Sequence, residues 1–271
     1  MPISEITNMQ KRVLTFFVIV LIFFPLRLDR GECQDRWSRE RIIATYGNKL
    51  PREWGERIRG VKTRLNTDQR VIALTLDACG GPKDLSFDAK LINYLEQRKI
   101  SATLFISGRW IDTHPEIFKE LAKNPLFEIE NHGLNHKPCS VIGRSAFGIE
   151  GTKNAGEIFD EIEQNALKIQ ALTGRKPRFY RPGTAYGDEI CVEIANLLGY
   201  EVVNFSVLGD AGVTYSKDQV KKSLMGAPPS SIILIHMNHP ETETADGVIE
   251  AIPELKKRGF RFVQLSEWGL R

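Results

Sequence analysis

Two of the five histidines in this 271-residue chain stand four apart, in the segment EIENHGLNHKPCS. His132 and His136 can face one divalent ion if the residues between them make a single turn. No glutamate follows the first histidine, so this is not the helical two-histidine motif of metalloproteases. Taken alone, the pair also reads as two unrelated surface histidines; its place directly after a β-rich run favours ligands. Asp77 closes the run VIALTLD, His236 closes SIILIH, and Arg181 follows RFY and is fixed by Pro182. Asp210, in NFSVLGDAG, is a further candidate carboxylate, and His239 reads as a loop neighbour of His236. Each has an ordinary reading by itself: a loop cap, a structural ion-pair partner, a satisfied core histidine. What raises them together is a common address just past the ends of strands.

The elements that must position these groups alternate along the chain. β-rich runs fall at Val71–Leu76, Ala102–Ile106, Phe127–Glu130, Arg178–Tyr180, Glu201–Val207, Ser231–Ile235 and Arg261–Leu265. Helical patterns lie between them at Asp84–Arg98, Pro115–Lys123, Asn154–Leu172, Asp188–Leu198, Lys217–Met225 and Ala245–Lys257. Ile158, Ile162, Ala166 and Ile169 mark one apolar face of the third helix, and Gly174 ends it. This alternation predicts a parallel α/β architecture. Pro82 follows DACGG, so the first strand carries no dinucleotide-binding glycine pattern. Ionisable groups at the ends of several strands, Asp77, His132, Arg181 and His236, favour a (β/α) barrel over an open doubly wound sheet.

Composition narrows the class. With 37 basic and 34 acidic residues scattered along the chain, the net charge is +3, and no basic block offers a footprint for nucleic acid. Lys11 and Arg12 precede an uncharged apolar run, Val13–Leu26, with Gly31 and Cys33 beyond it. That pattern predicts a signal peptide over 1–33, with an uncleaved N-terminal membrane anchor as the rival, and hence an exported chain: periplasmic, secreted or anchored at the outer face of the membrane. Residues 34–69 are polar and interrupted, with one helix expected at Trp37–Tyr46, and read as an N-terminal extension on a domain spanning 70–271.

Taken in order, VIALTLDACGGP, NHGLNH, RFYRPG and IILIHMN resemble the motifs of the polysaccharide deacetylase (NodB homology) family, from about Arg70 to Leu265. The resemblance implies a distorted (β/α) barrel of about seven parallel strands and metal-dependent hydrolysis of N-acetyl groups on an amino-sugar polysaccharide, peptidoglycan or chitin-like. It implies Asp77 as catalytic base, His132 and His136 as ligands of a divalent ion of the Zn2+ type, Arg181 as the tether of the base, His236 as general acid and Asp210 as the carboxylate orienting it. O-acetyl ester or small-amide hydrolysis on the same fold and a non-catalytic carbohydrate-binding domain are the alternatives. The chain departs from the family at one position. Where a second Asp usually follows the base and supplies a third metal ligand, this chain has Ala78, then Cys79 and an extra glycine.

The cysteines add expectations of their own. Cys191 lies in a helix with Ile194 and Leu198 and reads as a small buried apolar residue. Cys79 and Cys139 flank site residues on two loops that must converge, which predicts a Cys79–Cys139 disulfide. Cys79 as a metal ligand and two free thiols are the competing expectations.

Overall fold

The computed structural model describes residues 37–80 and 86–271; the expected leader and the start of the helix expected from Asp84 lie outside them. Among the described residues there are eight strands and eight α-helices. The strands are β1 (Val71–Ala78), β2 (Ala102–Ile106), β3 (Phe127–Asn131), β4 (Phe179–Tyr180), β5 (Glu201–Val202), β6 (Val207–Leu208), β7 (Ser231–His236) and β8 (Arg261–Val263). The helices are α1 (Arg39–Tyr46), α2 (Ala89–Gln97), α3 (Gly108–Thr113), α4 (Pro115–Lys123), α5 (Ala155–Thr173), α6 (Glu189–Leu197), α7 (Lys217–Met225) and α8 (Thr244–Lys257). Asp88, Ser107, Asn154, Asp188 and Ser216 cap helix N-termini by accepting a backbone N–H with their side chains.

The strands pair in parallel in the order β5-β4-β3-β2-β1-β7-β6, and β8 pairs with the start of β1. The two outermost strands, β5 and β6, are consecutive in the chain, so the sheet curls into a half-barrel flanked by helices. The sequence pattern predicts one strand over Glu201–Val207. The chain there changes partner instead: Val203 N–H bonds Tyr180 on one side, and Ser206 N–H bonds Ile232 on the other. The short helix α3 was not anticipated.

Strand alternation divides the interior into two layers. On β1, Ile72, Leu74, Leu76 and Ala78 face the helices in one apolar cluster, while Val71 and Ala73 belong to an inner cluster with Phe105, Phe179 and Leu234. Slipping β1 by one residue would drive Asp77 into the helix-facing layer, against roughly 1.5–3 kcal/mol for each large apolar side chain left in the wrong layer. The register is therefore firmly set. The N-terminal extension is built onto the domain: α1 buries Ile42 and Tyr46 in a cluster shared with α5, Arg39 pairs with Asp160, and Leu65 is fully buried in the inner cluster. Among the described residues, no helix is long and apolar enough to cross a membrane.

Candidate active site

The inner row of β1 continues from Val71 and Ala73 through Thr75 to Asp77 and, one step past the strand, Cys79. Asp77 is the register partner of His236 on β7, and Asn131 is that of Tyr180, which sets His132 beside Arg181. Asp77, His132, Arg181 and His236, predicted from separate motifs, thus meet at the C-terminal end of the half-barrel, as does Asp210.

Arg181 is fully buried and makes the central connection. Its guanidinium donates to Asp77 Oδ1 at 2.6 Å, to Thr75 Oγ1 at 3.0 Å, and to the carbonyls of Val203 and Asn204. It also lies 4.1 Å from the centre of the Phe105 ring. Donors in so many directions fix the carboxylate in one orientation, and a buried charge pair this well satisfied loses several kcal/mol if one partner alone is removed, of order 3–5. Asp77 keeps its other oxygen toward His132 Nε2, at 3.5 Å.

The backbone carbonyl of Arg181 accepts from His132 Nδ1 at 2.9 Å. A carbonyl can only accept, so Nδ1 carries the proton and Nε2 faces the site. Burial lowers the His132 pKa, but the Asp77 carboxylate and the Cys79 sulfur raise it on balance. The turn onward to His136 is held by Glu161 of α5, whose Oε1 accepts the N–H groups of Asn135 and Lys137. Gly133, at φ 79°, leaves room for that carboxylate, since a Cβ there would stand 2.5 Å from Glu161 Oε1. Gly183 likewise lets the loop after β4 pack on the backbone of His136. Beneath the turn, Asn165 donates to Asn131 Oδ1, which also accepts the Gly133 N–H.

Glu161 and Asn165 are not among the residues that the motifs single out. A signal was present, because both fall on the apolar face marked by Ile158, Ile162 and Ala166, where a polar side chain must find partners.

The cysteines correct the sequence expectation. Cys139 is bonded to Cys191, with Cα atoms 5.9 Å apart, and Cys79 is the only free cysteine among the described residues. Cys139 runs alongside Tyr186–Asp188, which leads into α6, so it meets the first turn of that helix and not the end of β1. Cys79 Sγ stands 3.8 Å from His132 Nε2. Burial alone would raise its pKa, but the imidazoles of His136, His132 and His236 hold the thiol well below its ordinary value. One ligating atom each from Cys79, His132 and His136 lie within 4.8 Å of one another. Two imidazoles and a thiolate at this spacing, with one imidazole oriented by a backbone carbonyl, suit a tetrahedral divalent ion that keeps its fourth position open.

Across the site, His236 Nδ1 meets Asp210 Oδ1 at 3.0 Å, while Asp210 Oδ2 accepts the His236 N–H at 2.7 Å. Burial lowers the His236 pKa, but this carboxylate outweighs it and holds the pKa well above the usual imidazole value. These groups open into a cavity of about 500 Å³ with Asp77, Cys79, His136 and His236 at its floor. Its walls are apolar, from Phe205, Leu208 and Leu234, and Phe147 stands 76% exposed at the rim. Phe147 packs edge-on against Tyr186, which in turn meets Trp54 of the extension.

Residues 64–203 match the polysaccharide deacetylase family. A peptidoglycan-N-acetylglucosamine deacetylase of Bacillus cereus is 27% identical over 207 residues, covering 74% of this chain and 88% of the relative. A solved structure of a peptidoglycan N-acetylglucosamine deacetylase is similar with a TM-score of 0.66 and 25% identity, over 86% of this chain and 97% of its own. A family 4 carbohydrate esterase pseudoenzyme from Bacillus anthracis is similar at a TM-score of 0.63 and 22% identity, over 76% and 67%. That last likeness shows the fold alone. Motifs, sheet and site agree with the first match: the chain belongs to the polysaccharide deacetylase family.

Proposed function

We propose that this protein is a metal-dependent hydrolase that removes N-acetyl groups from an amino-sugar polysaccharide, such as peptidoglycan or a chitin-like polymer. The observation that carries this reading is the convergence of three units on one cavity: Asp77 tethered by Arg181, the histidine pair, and His236 paired with Asp210. A purely carbohydrate-binding domain requires no oriented base and no charged imidazole, so the retained pairs favour catalysis.

In this reading His132 and His136 hold a divalent ion, of which Zn2+ suits the nitrogen donors best. Bound there, such an ion supplies Lewis acidity toward the acetyl carbonyl and acidifies water toward neutrality. Asp77, fixed by Arg181, accepts the proton of the attacking water. His236, kept protonated by Asp210, delivers a proton to the departing amine. The apolar walls take the acetyl methyl group, and the open rim beside Phe147 and Tyr186 leaves space for further sugars of a chain.

The basic pair and apolar run at the N-terminus support export to the compartment where such polymers lie. The Cys139–Cys191 bond supports it too, since disulfides persist in oxidising surroundings.

The test is acetate release from N-acetylglucosamine oligomers by wild type and Asp77→Asn. The variant should fold, bind metal, and turn over at least ~10²-fold more slowly, the scale of a positioned base. Near wild-type turnover would remove Asp77 as the base.

A further inference from the structure

We propose that Cys79 is the third protein ligand of the metal ion, taking the place of the second aspartate of the family motif and making the site selective for a thiophilic ion. The inference rests on the metal-dependent reading above. Its first support is strand parity. Ala78 carries no ligating group and is fully buried among the helix-facing side chains, whereas Cys79 returns to the inner row with Asp77. Distance is the second. An ion bound tetrahedrally at about 2.3 Å from sulfur and about 2.0–2.1 Å from nitrogen spaces the two donors roughly 3.6 Å apart. Cys79 Sγ and His132 Nε2 stand 3.8 Å apart, and Nε2 is the nitrogen that the Arg181 carbonyl leaves facing the site.

The position is also built. Ser107 donates its hydroxyl to the Cys79 carbonyl at 2.6 Å, and Gly80, at φ 72°, seats the chain against α3, where a Cβ would stand 2.6 Å from Trp110 N. The disulfide engages Cys139 and Cys191, and among the described residues Cys79 is the free thiol. Asp77, meanwhile, is committed to Arg181, so a sulfur ligand lets this carboxylate remain a base. Thiolate with imidazole selects Zn2+ or Co2+, while a carboxylate in the same place suits Mg2+ or Mn2+ better.

The experiment strips the purified chain with a chelator and titrates it with Co2+, followed by absorbance and metal analysis. One Co2+ should bind per chain with a near-ultraviolet thiolate-to-cobalt charge-transfer band, and His132→Ala should abolish both. Cys79→Ser should lose the band and bind at least ~10²-fold more weakly, above the 10–100-fold typical of lost outer-shell partners. Cys79→Asp should bind without the band and shift preference toward Mn2+. Should Cys79→Ser fail to fold, protection of wild-type Cys79 from alkylation by bound Zn2+ gives the same information. A stoichiometric Co2+ complex without the band, wild-type affinity in Cys79→Ser, alkylation unaffected by Zn2+, or no bound ion at all would overturn the assignment. A cobalt complex that shows the band while the zinc-loaded enzyme releases no acetate would instead remove the deacetylase reading and leave Cys79 as a ligand.

Discussion

Replacing Cys139 and Cys191 together by Ala should weaken the fold while sparing the chemistry. The two cysteines are 52 residues apart, and the closed loop carries the 142–150 segment, Arg181 and the start of α6. In the chain-entropy model, a loop of that size restricts the unfolded chain by about 14 cal/mol/K, or about 4 kcal/mol at 25 °C. Both side chains are fully buried, so the lost sulfur contacts add to the loss. For a domain of this size, each kcal/mol shifts Tm by about 2–4 °C, giving a fall of ~8–16 °C. The histidine turn hangs on Glu161 and the Arg181 carbonyl, neither of which involves the disulfide. Turnover well below the transition should therefore stay close to wild type. Calorimetry on the double variant and on reduced wild type measures the first effect, and acetate release the second. Peptide mapping of the unreduced protein should recover Cys139 linked to Cys191. An unchanged Tm, or a map linking Cys79 to Cys139, would refute the reasoning.

Asp210→Asn removes the carboxylate that raises the His236 pKa and leaves the burial that lowers it. The proton-donating form is lost as pH rises through this pKa, so the basic limb of the pH–rate profile should move to lower pH; an unmoved limb would show that His236 is not the acid. Cys79 and His239 also approach His236, so the profile is best recorded in Cys79→Asp as well. Glu161→Ala leaves the half-buried Asn135 and Lys137 N–H groups without their acceptor, at up to ~1–3 kcal/mol for each donor left unpaired. Metal affinity should fall by ~10–100-fold, and titration at wild-type affinity would remove Glu161 as the support of the turn. Phe147→Ala should raise KM for a long oligomer and leave turnover of a monosaccharide substrate unchanged; equal effects on both would show that the rim ring does not meet distant sugars.

Much of this architecture was legible because β1, β2 and β7 are unbroken buried runs, which keep their boundaries almost wherever they pack. At the ends of β1 and β7 the chemistry declared itself: Asp77 and His236 each close a largely apolar buried run, where a carboxylate or imidazole has to be satisfied or used. The half-strands β5 and β6 were not legible, since the chain between them, Val203–Ser206, keeps a strand-like alternation of apolar and polar residues while switching partners. α3 is too short to display a period. The disulfide depends on which loop passes which helix, and sequence spacing carries no such information. Glu161 and Asn165 were hidden in plain pattern on the apolar face of α5, where a polar interruption was available to be read.

The central claim is tested most directly by acetate release from matched N-acetylated and O-acetylated saccharides, run on enzyme stripped by chelator and then restored with Zn2+. Acetate is expected from the N-acetylglucosamine polymer, none after stripping, and recovery with one equivalent of Zn2+. Release that survives complete metal removal, or release from O-acetyl esters alone, would contradict it.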